Sequence, residues 1–241
     1  MAQQERGIRS KRSILEAAAG VFGERGYDAA STNEILARAG LTRGALYHHF
    51  PSKEAIATAL LEAQGEALVV PDQPVKLQAV IDLTLGFAQR LQYDTVLRAS
   101  VRLAVEQSSF APPAQTPYNQ AIGVIEDLLR KADAQGELLP GTDIAEVAST
   151  VVGSFTGLQV MSQAYSNRQD LPARIGALWR LILSGLAAPG ILPRLRTTVP
   201  PKAVGTAAEE TAEEAPKGVL KGVPTDAAKE VAKEPVGGAA G

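Results

Sequence analysis

An all-α fold is what this sequence predicts. Apolar residues return at three- and four-residue intervals from Arg9 to Ala188, cap and stop residues bound each such run, and no convincing strand-like alternation appears. The first run, Arg9 to Arg25, lines up Ile14, Leu15, Ala18, Val21 and Phe22 on one stripe, with Gly23 and Gly26 punctuating its end. Ser31 followed three residues on by Glu34 is a capping-box pattern that opens a short helix, Thr32 to Ala39, and Gly40 closes it. Thr42 caps a third helix, Arg43 to His49; Pro51 stops it, and Ser52 caps a fourth that runs to about Leu68.

The rest of the chain reads the same way. Helices are expected from Pro74 to Leu91 (Leu77, Val80, Ile81, Thr84, Phe87), from Thr95 to Gln107, and from Thr116-Pro117 onward, a cap with proline at the first helical position. Gly136 and Pro140 stop that third one. Asp143 with Glu146 opens a long helix rich in small residues, to about Ser166, and Asp170 opens the last, to about Ala188. Beyond Thr197 the composition turns to Ala, Glu, Lys, Pro, Gly and Val without aromatic residues or apolar period, which cannot bury enough surface to offset ordering entropy. The expected division is residues 1–51, residues 52–196 and a disordered tail, 197–241.

The 241 residues contain no cysteine, so neither a disulfide framework nor a thiolate metal site is available, and a reducing cytoplasm fits. Arg6, Arg9, Lys11 and Arg12 interleave with Glu5 and Glu16, which is not the layout of a secretory signal. The stretch Leu181 to Leu192 is too short for a bilayer and is interrupted by Ser184, Gly185, Pro189 and Gly190, so no membrane span is expected. Net charge is only −2; affinity for nucleic acid would have to come from a local basic face.

Such a face is offered by Ser31 to Phe50, STNEILARAGLTRGALYHHF, which reads as helix, glycine turn, helix. Ile35, Leu36, Ala39, Leu41 and Leu46 can pack inward, leaving Thr42, Arg43, Gly44, Ala45, Tyr47 and His48 outside. Arg43, at the helix tip, carries a planar fork that matches guanine O6 and N7, while Gly44 and Ala45 let the helix approach the groove floor. Thr42, Tyr47, His48 and Lys53 offer donors to phosphates, with Lys11 and Arg12 extending the footprint. The alternative for Tyr47, His48 and His49 is hinge packing against Phe50 and Ile56. The two histidines lack the spacing of a helical metal pair, so no metal or cofactor is expected.

The stretch Leu41 to Ile56, LTRGALYHHFPSKEAI, closely resembles the DNA-binding signature of the TetR family of bacterial repressors. AAAGVFGERGYDAASTNEI, LLEAQ, VLRASVRLA and GSFTGLQV are further similar to the γ-butyrolactone autoregulator receptors of actinomycetes, over most of residues 6 to 190. The resemblance implies an N-terminal three-helix DNA-binding domain and a C-terminal helical ligand-binding and dimerisation domain. It further implies a homodimer on double-stranded operator DNA, released by a small apolar signal of lactone, butenolide or furan type, controlling antibiotic biosynthesis genes. Arg43 would correspond to a base-reading position and Thr42, Tyr47 and Lys53 to phosphate contacts. These receptors often carry a tryptophan early in the helix that begins here at Pro117; this chain offers Tyr118 and Gln120 there, and its tryptophan is Trp179. A pseudo-receptor that binds an antibiotic or an intermediate is therefore the alternative.

For the ligand, Gln64 points among Leu60, Leu61, Ala67 and Leu68, where its amide needs either a ligand or a backbone or water partner. Thr156, beside Val152, Gly153 and Val160, suits a pocket wall or a back-bonded packing position. Trp179 reads as core, dimer or ligand contact, and Phe87, Val101, Leu103, Ile122 and Val160 as pocket or core. The chain is not expected to be an enzyme: the hydrolase-like Gly153-Ser-Phe-Thr-Gly157 has its serine one place early and no strand before it.

Overall fold

The computed structural model describes residues 2–106 and 116–199. Nine α-helices lie among the described residues: α1 (Ala2–Ala29), α2 (Thr32–Ala39), α3 (Arg43–His49), α4 (Lys53–Glu66), α5 (Lys76–Tyr93), α6 (Thr95–Val105), α7 (Thr116–Ala134), α8 (Ile144–Ser166) and α9 (Leu171–Ile182). Four of the expected caps operate as read, whereas Asp170 precedes α9 without a capping bond from its side chain. Ser31 and Glu34 form a reciprocal box, Thr42 accepts from Ala45 N–H, Ser52 from Ala55 N–H, and Asp143 from Glu146 N–H.

Boundaries depart from the expectation where tertiary contacts decide them. α1 starts earlier, at Ala2, runs through Gly23 and is broken at Gly26, whose φ of 75° is costly for a residue with a side chain. α9 ends at Ile182, not near Ala188, and the chain tightens into a 3-10 turn at Leu183–Gly185. The cause lies far away in sequence: Leu139 N–H donates to Leu186 O at 2.9 Å and Ala188 N–H to Glu137 O at 2.8 Å, a pairing that pulls the segment out of the helix. Glu137, 3% exposed, also places its carboxylate on the amides of Lys76 (3.0 Å) and Leu77 (2.7 Å), capping α5, whose own N-cap Val75 has no side chain for the task.

Order extends past the expected limit at residue 197. The Gln78 amide accepts from Arg196 N–H at 2.8 Å and donates to Arg196 O at 3.0 Å, and Val199 packs on the bundle. Gly176 allows the Thr197 carbonyl to approach where any Cβ would collide. The remainder of the expected tail lies outside the described residues, as do the ends of the run expected to reach Gln107.

Two apolar cores result. One joins α1, α2, α3 and α4 (Ile14, Phe22, Ile35, Leu46, Ile56, Leu60), and the other joins α5, α7, α8 and α9 (Ile81, Leu85, Leu129, Val151, Trp179). α6 contributes to both, with Ala99, Leu103 and Ala104 in the first and Leu97 and Val101 in the second. α8, which lies outside the Leu181–Leu192 stretch singled out above, is long and apolar enough to cross a membrane by length and composition only, which is weak evidence for a span.

Candidate nucleic-acid interface and ligand cavity

The reading head follows from local chemistry. Gly40 terminates α2 at φ 64°, a left-handed turn that sends the chain into the Thr42 cap, and Leu46 and Phe50 anchor α3 to α1 with almost no exposure. That anchoring leaves Thr42, Arg43, Gly44, Tyr47 and His48 exposed and Ala45 half-buried. The Arg43 guanidinium lies 5.9 Å from the centre of the Tyr47 ring, one helical turn on, and so is poised at the tip by a cation–π contact. Thr42 Oγ1 accepts from Ala45 N–H at 3.3 Å and still has its hydrogen to give outward. His48 stacks edge-on against His49 with ring centres 5.2 Å apart.

Lys53 departs from the reading. Its ammonium donates to the carbonyls of Tyr27 (2.9 Å), Ala30 (3.1 Å) and Asp28 (3.4 Å) and sits 4.3 Å from the centre of the Tyr27 ring. All three of its hydrogens are thereby engaged by carbonyls near the end of α1, so Lys53 ties the start of α4 to that end. Arg12 pairs with Glu16 at 2.8 Å, whereas Lys11 remains exposed over Phe50.

Inside the second core is a cavity that leaves about 60 Å³ for the centre of a water-sized body. Phe87 and Phe155, edge to face with centres 5.6 Å apart, form one wall, and Leu83, Val101, Ile125 and Val152 complete most of the apolar surface. Five polar side chains break it: Gln64, Thr84, Tyr118, Thr156 and Gln159. Gln64 Oε1 accepts from Ser100 Oγ at 3.4 Å, a long contact. Thr156 back-bonds to Val152 O at 2.9 Å. Tyr118 donates to Ala104 O at 3.3 Å, and burial pushes its phenol pKa above the ordinary value, so it stays a neutral donor and acceptor.

Four of the expected ligand residues, Gln64, Phe87, Tyr118 and Thr156, therefore converge on one void. Three do not. Gln120 lies two residues past Tyr118, about 200° around α7, and is exposed with its amide against Gly65. Val160 is 45% exposed on the outer side of α8. Trp179 is fully buried one layer behind the wall, its indole N–H donating to Thr84 Oγ1 at 2.8 Å. Leu103 packs in the first core, and Ile122 half-buries against the second without lining the void. Sequence reasoning missed Thr84, Phe155 and Gln159; Gln159 follows Thr156 by three positions and Val152 by seven, a spacing that would have placed all three on one face of α8. Ser154 sits mid-helix in α8 while both histidines lie in α3.

Comparison with known proteins matches this two-part layout. Residues 14–60 fit the profile of bacterial regulatory proteins of the TetR family, and residues 74–188 that of the tetracyclin repressor-like C-terminal domain. The A-factor receptor protein of Streptomyces griseus is 38% identical over 196 residues, covering 81% of this chain and 70% of that protein. The chain belongs to the TetR family. Among solved structures, the TetR regulator TylP of Streptomyces fradiae shares 42% identity at a TM-score of 0.72, over 81% of this chain and 87% of that one. A γ-butyrolactone receptor described as ArpA-like shares 30% identity at a TM-score of 0.63, over 78% and 93% of the two chains. As a TetR-family chain, this protein is a ligand-responsive, DNA-binding transcriptional repressor.

Proposed function

We propose that the protein is a homodimeric repressor that reads its operator through α3 and is released by a small lactone, butenolide or furan-type molecule entering the Phe87–Phe155 cavity. The observation that carries this reading is that Gln64, the cavity's polar group on α4, belongs to the helix that begins at Lys53, four residues after the reading helix ends at His49. Arg43 reads base edges, Gly44 and Ala45 admit the helix to the groove, and Thr42, Tyr47 and His48 contact phosphates. The likeness to an A-factor receptor and a γ-butyrolactone receptor supports the ligand class, and with it control of antibiotic biosynthesis genes in the cytoplasm.

The void as it stands holds only a few water-sized bodies, so a lactone with a side chain enters only if the surrounding helices part. Ligand thus prefers a state in which α4 has shifted, and operator prefers the state in which it has not; each antagonises the other by that difference in affinity. Dimerisation fits the exposed side of α8, where Thr150, Gly153, Gly157, Met161 and Ala164 form a small-residue stripe beside exposed Leu181 of α9. Two copies of the reading head would meet half-sites about one helical turn, roughly 34 to 36 Å, apart.

The decisive experiment titrates an operator complex with synthetic γ-butyrolactones. Release by lactone in the wild type, with weakened release but intact operator binding in Gln64→Leu, is the expected result. Operator affinity unmoved by saturating lactones, butenolides and furans would refute the ligand class.

A further inference from the structure

A second void lies on the outer side of α6 and α8, open to solvent and far roomier than the apolar cavity, with about 500 Å³ for the centre of a water-sized body. It is walled by α1 (Ala19, Gly20, Gly23), by α6 and by the α8–α9 turn, and it shares Gln159 and Val105 with the apolar cavity. Three arginines face it. Arg102 is spoken for by Glu106 and the Gly23 carbonyl, and the groove's other carboxylate, Glu24, is held by Arg38. Arg98 and Arg168 have no carboxylate partner among the described residues.

Arg168 is the unusual one. It is 7% exposed, and both it and Asn167 before it hold left-handed backbone, with φ of 67° and 49°. A buried cation without a counter-charge and a non-glycine residue at positive φ each cost free energy, and such costs concentrate where a ligand is held. Its Nε and Nη2 donate to a single oxygen, Gln159 Oε1, at 3.4 and 3.1 Å, and its Nη1 has no acceptor among the described residues. Burial first, and then the Arg98 charge, push the Arg168 guanidinium pKa down from its ordinary value. Among the described residues, Arg98 makes one side-chain hydrogen bond, to Thr95 at 3.2 Å within its own helix.

We propose that this groove is a second small-molecule site that takes an organic carboxylate, its oxygens bridging Arg98 and Arg168 and its apolar body resting on Val105. A planar carboxylate accepts two N–H groups from a guanidinium fork, and here it would neutralise both cations at once. Val105, 40% exposed, gives the body an apolar seat that a bare inorganic anion cannot use. Gln159 borders both voids, but Arg98 and Arg168 line only this one, so the site stands whether or not a lactone is the releasing signal.

Isothermal titration of the full chain with benzoate and, separately, with inorganic phosphate, in chloride buffer of matched ionic strength, tests this. Benzoate is expected to bind in the millimolar range, at least tenfold more weakly to Arg98→Gln and Arg168→Gln, and unchanged to Arg130→Gln, a cation on α7 remote from the groove. Should Arg168→Gln fail to fold, Arg98→Gln carries the test, since its loss costs only a local bond to Thr95. Absence of benzoate binding to the wild type, equal binding to Arg98→Gln, or phosphate binding as tight as benzoate would each overturn the proposal.

Discussion

The indole N–H of Trp179 donates to the Thr84 hydroxyl at 2.8 Å across 95 residues of chain, and Thr84 in turn faces the apolar cavity while donating to Ile81 O at 2.8 Å. The chain's one tryptophan is thus a single hydrogen bond away from whatever occupies that void. A ligand that displaces Thr84 should change Trp179 emission with the same midpoint at which it releases operator. Trp179→Phe removes the donor and should lower stability by about 1 to 3 kcal/mol, seen as a shifted urea midpoint. Emission blind to a releasing ligand would place that ligand elsewhere.

Arg43→Ala should weaken operator binding by about 1 to 3 kcal/mol and relax discrimination at one base pair, because a bidentate contact to guanine is lost while phosphate contacts remain. Competition between operator and random duplex measures this. An equal loss on both duplexes would reassign Arg43 to the backbone.

Lys53→Met separates a clasp from a phosphate contact. Removing the ammonium takes away its hydrogen bonds to the carbonyls of Tyr27, Asp28 and Ala30, so thermal stability should fall by about 1 to 3 kcal/mol. The slope of log affinity against log salt for operator should not change. A slope reduced by about one would mean that Lys53 touches a phosphate.

Asp170 ties the α8–α9 turn: its carboxylate accepts from Ser162, from Ser166 at 2.6 Å and from Arg174 at 2.7 Å. The serine hydrogen bonds, with help from Arg174, lower its pKa from 3.8 to about 2. A carboxyl depressed in the folded state contributes stability that is full above its unfolded value and lost as pH falls from about 4 through about 2. The wild type should therefore exceed Asp170→Asn in urea midpoint at neutral pH, with the gap closing over that acid interval. A gap independent of pH would show that geometry and not charge is what the residue supplies.

Much of the fold was legible because capping is local. Ser31 with Glu34, Thr42, Ser52 and Asp143 each satisfy amides within one turn, so a few residues of sequence suffice to place a helix start. What escaped was set by partners distant in the chain. Nothing near Ile182 announces that Glu137 and Leu139 will claim the backbone of residues 186–188, and nothing near Val75 announces that Glu137 will cap its helix. The site followed the same rule. Helical spacing brought Gln64, Phe87, Tyr118 and Thr156 to the cavity, but only packing could show that α7 turns Gln120 away and that carbonyls at the end of α1 hold the Lys53 ammonium.

The position of α6 limits how this protein could be rebuilt. A chimera that joined its first four helices to the bundle of a relative, with the seam after Glu66, would strip Ala99, Leu103 and Ala104 from beneath the reading head and replace them with a foreign surface. Operator specificity is thus transplantable only together with α6, which begins at Thr95, far beyond the end of the reading helix at His49, and a designer who wants a modular sensor must move that strut as well.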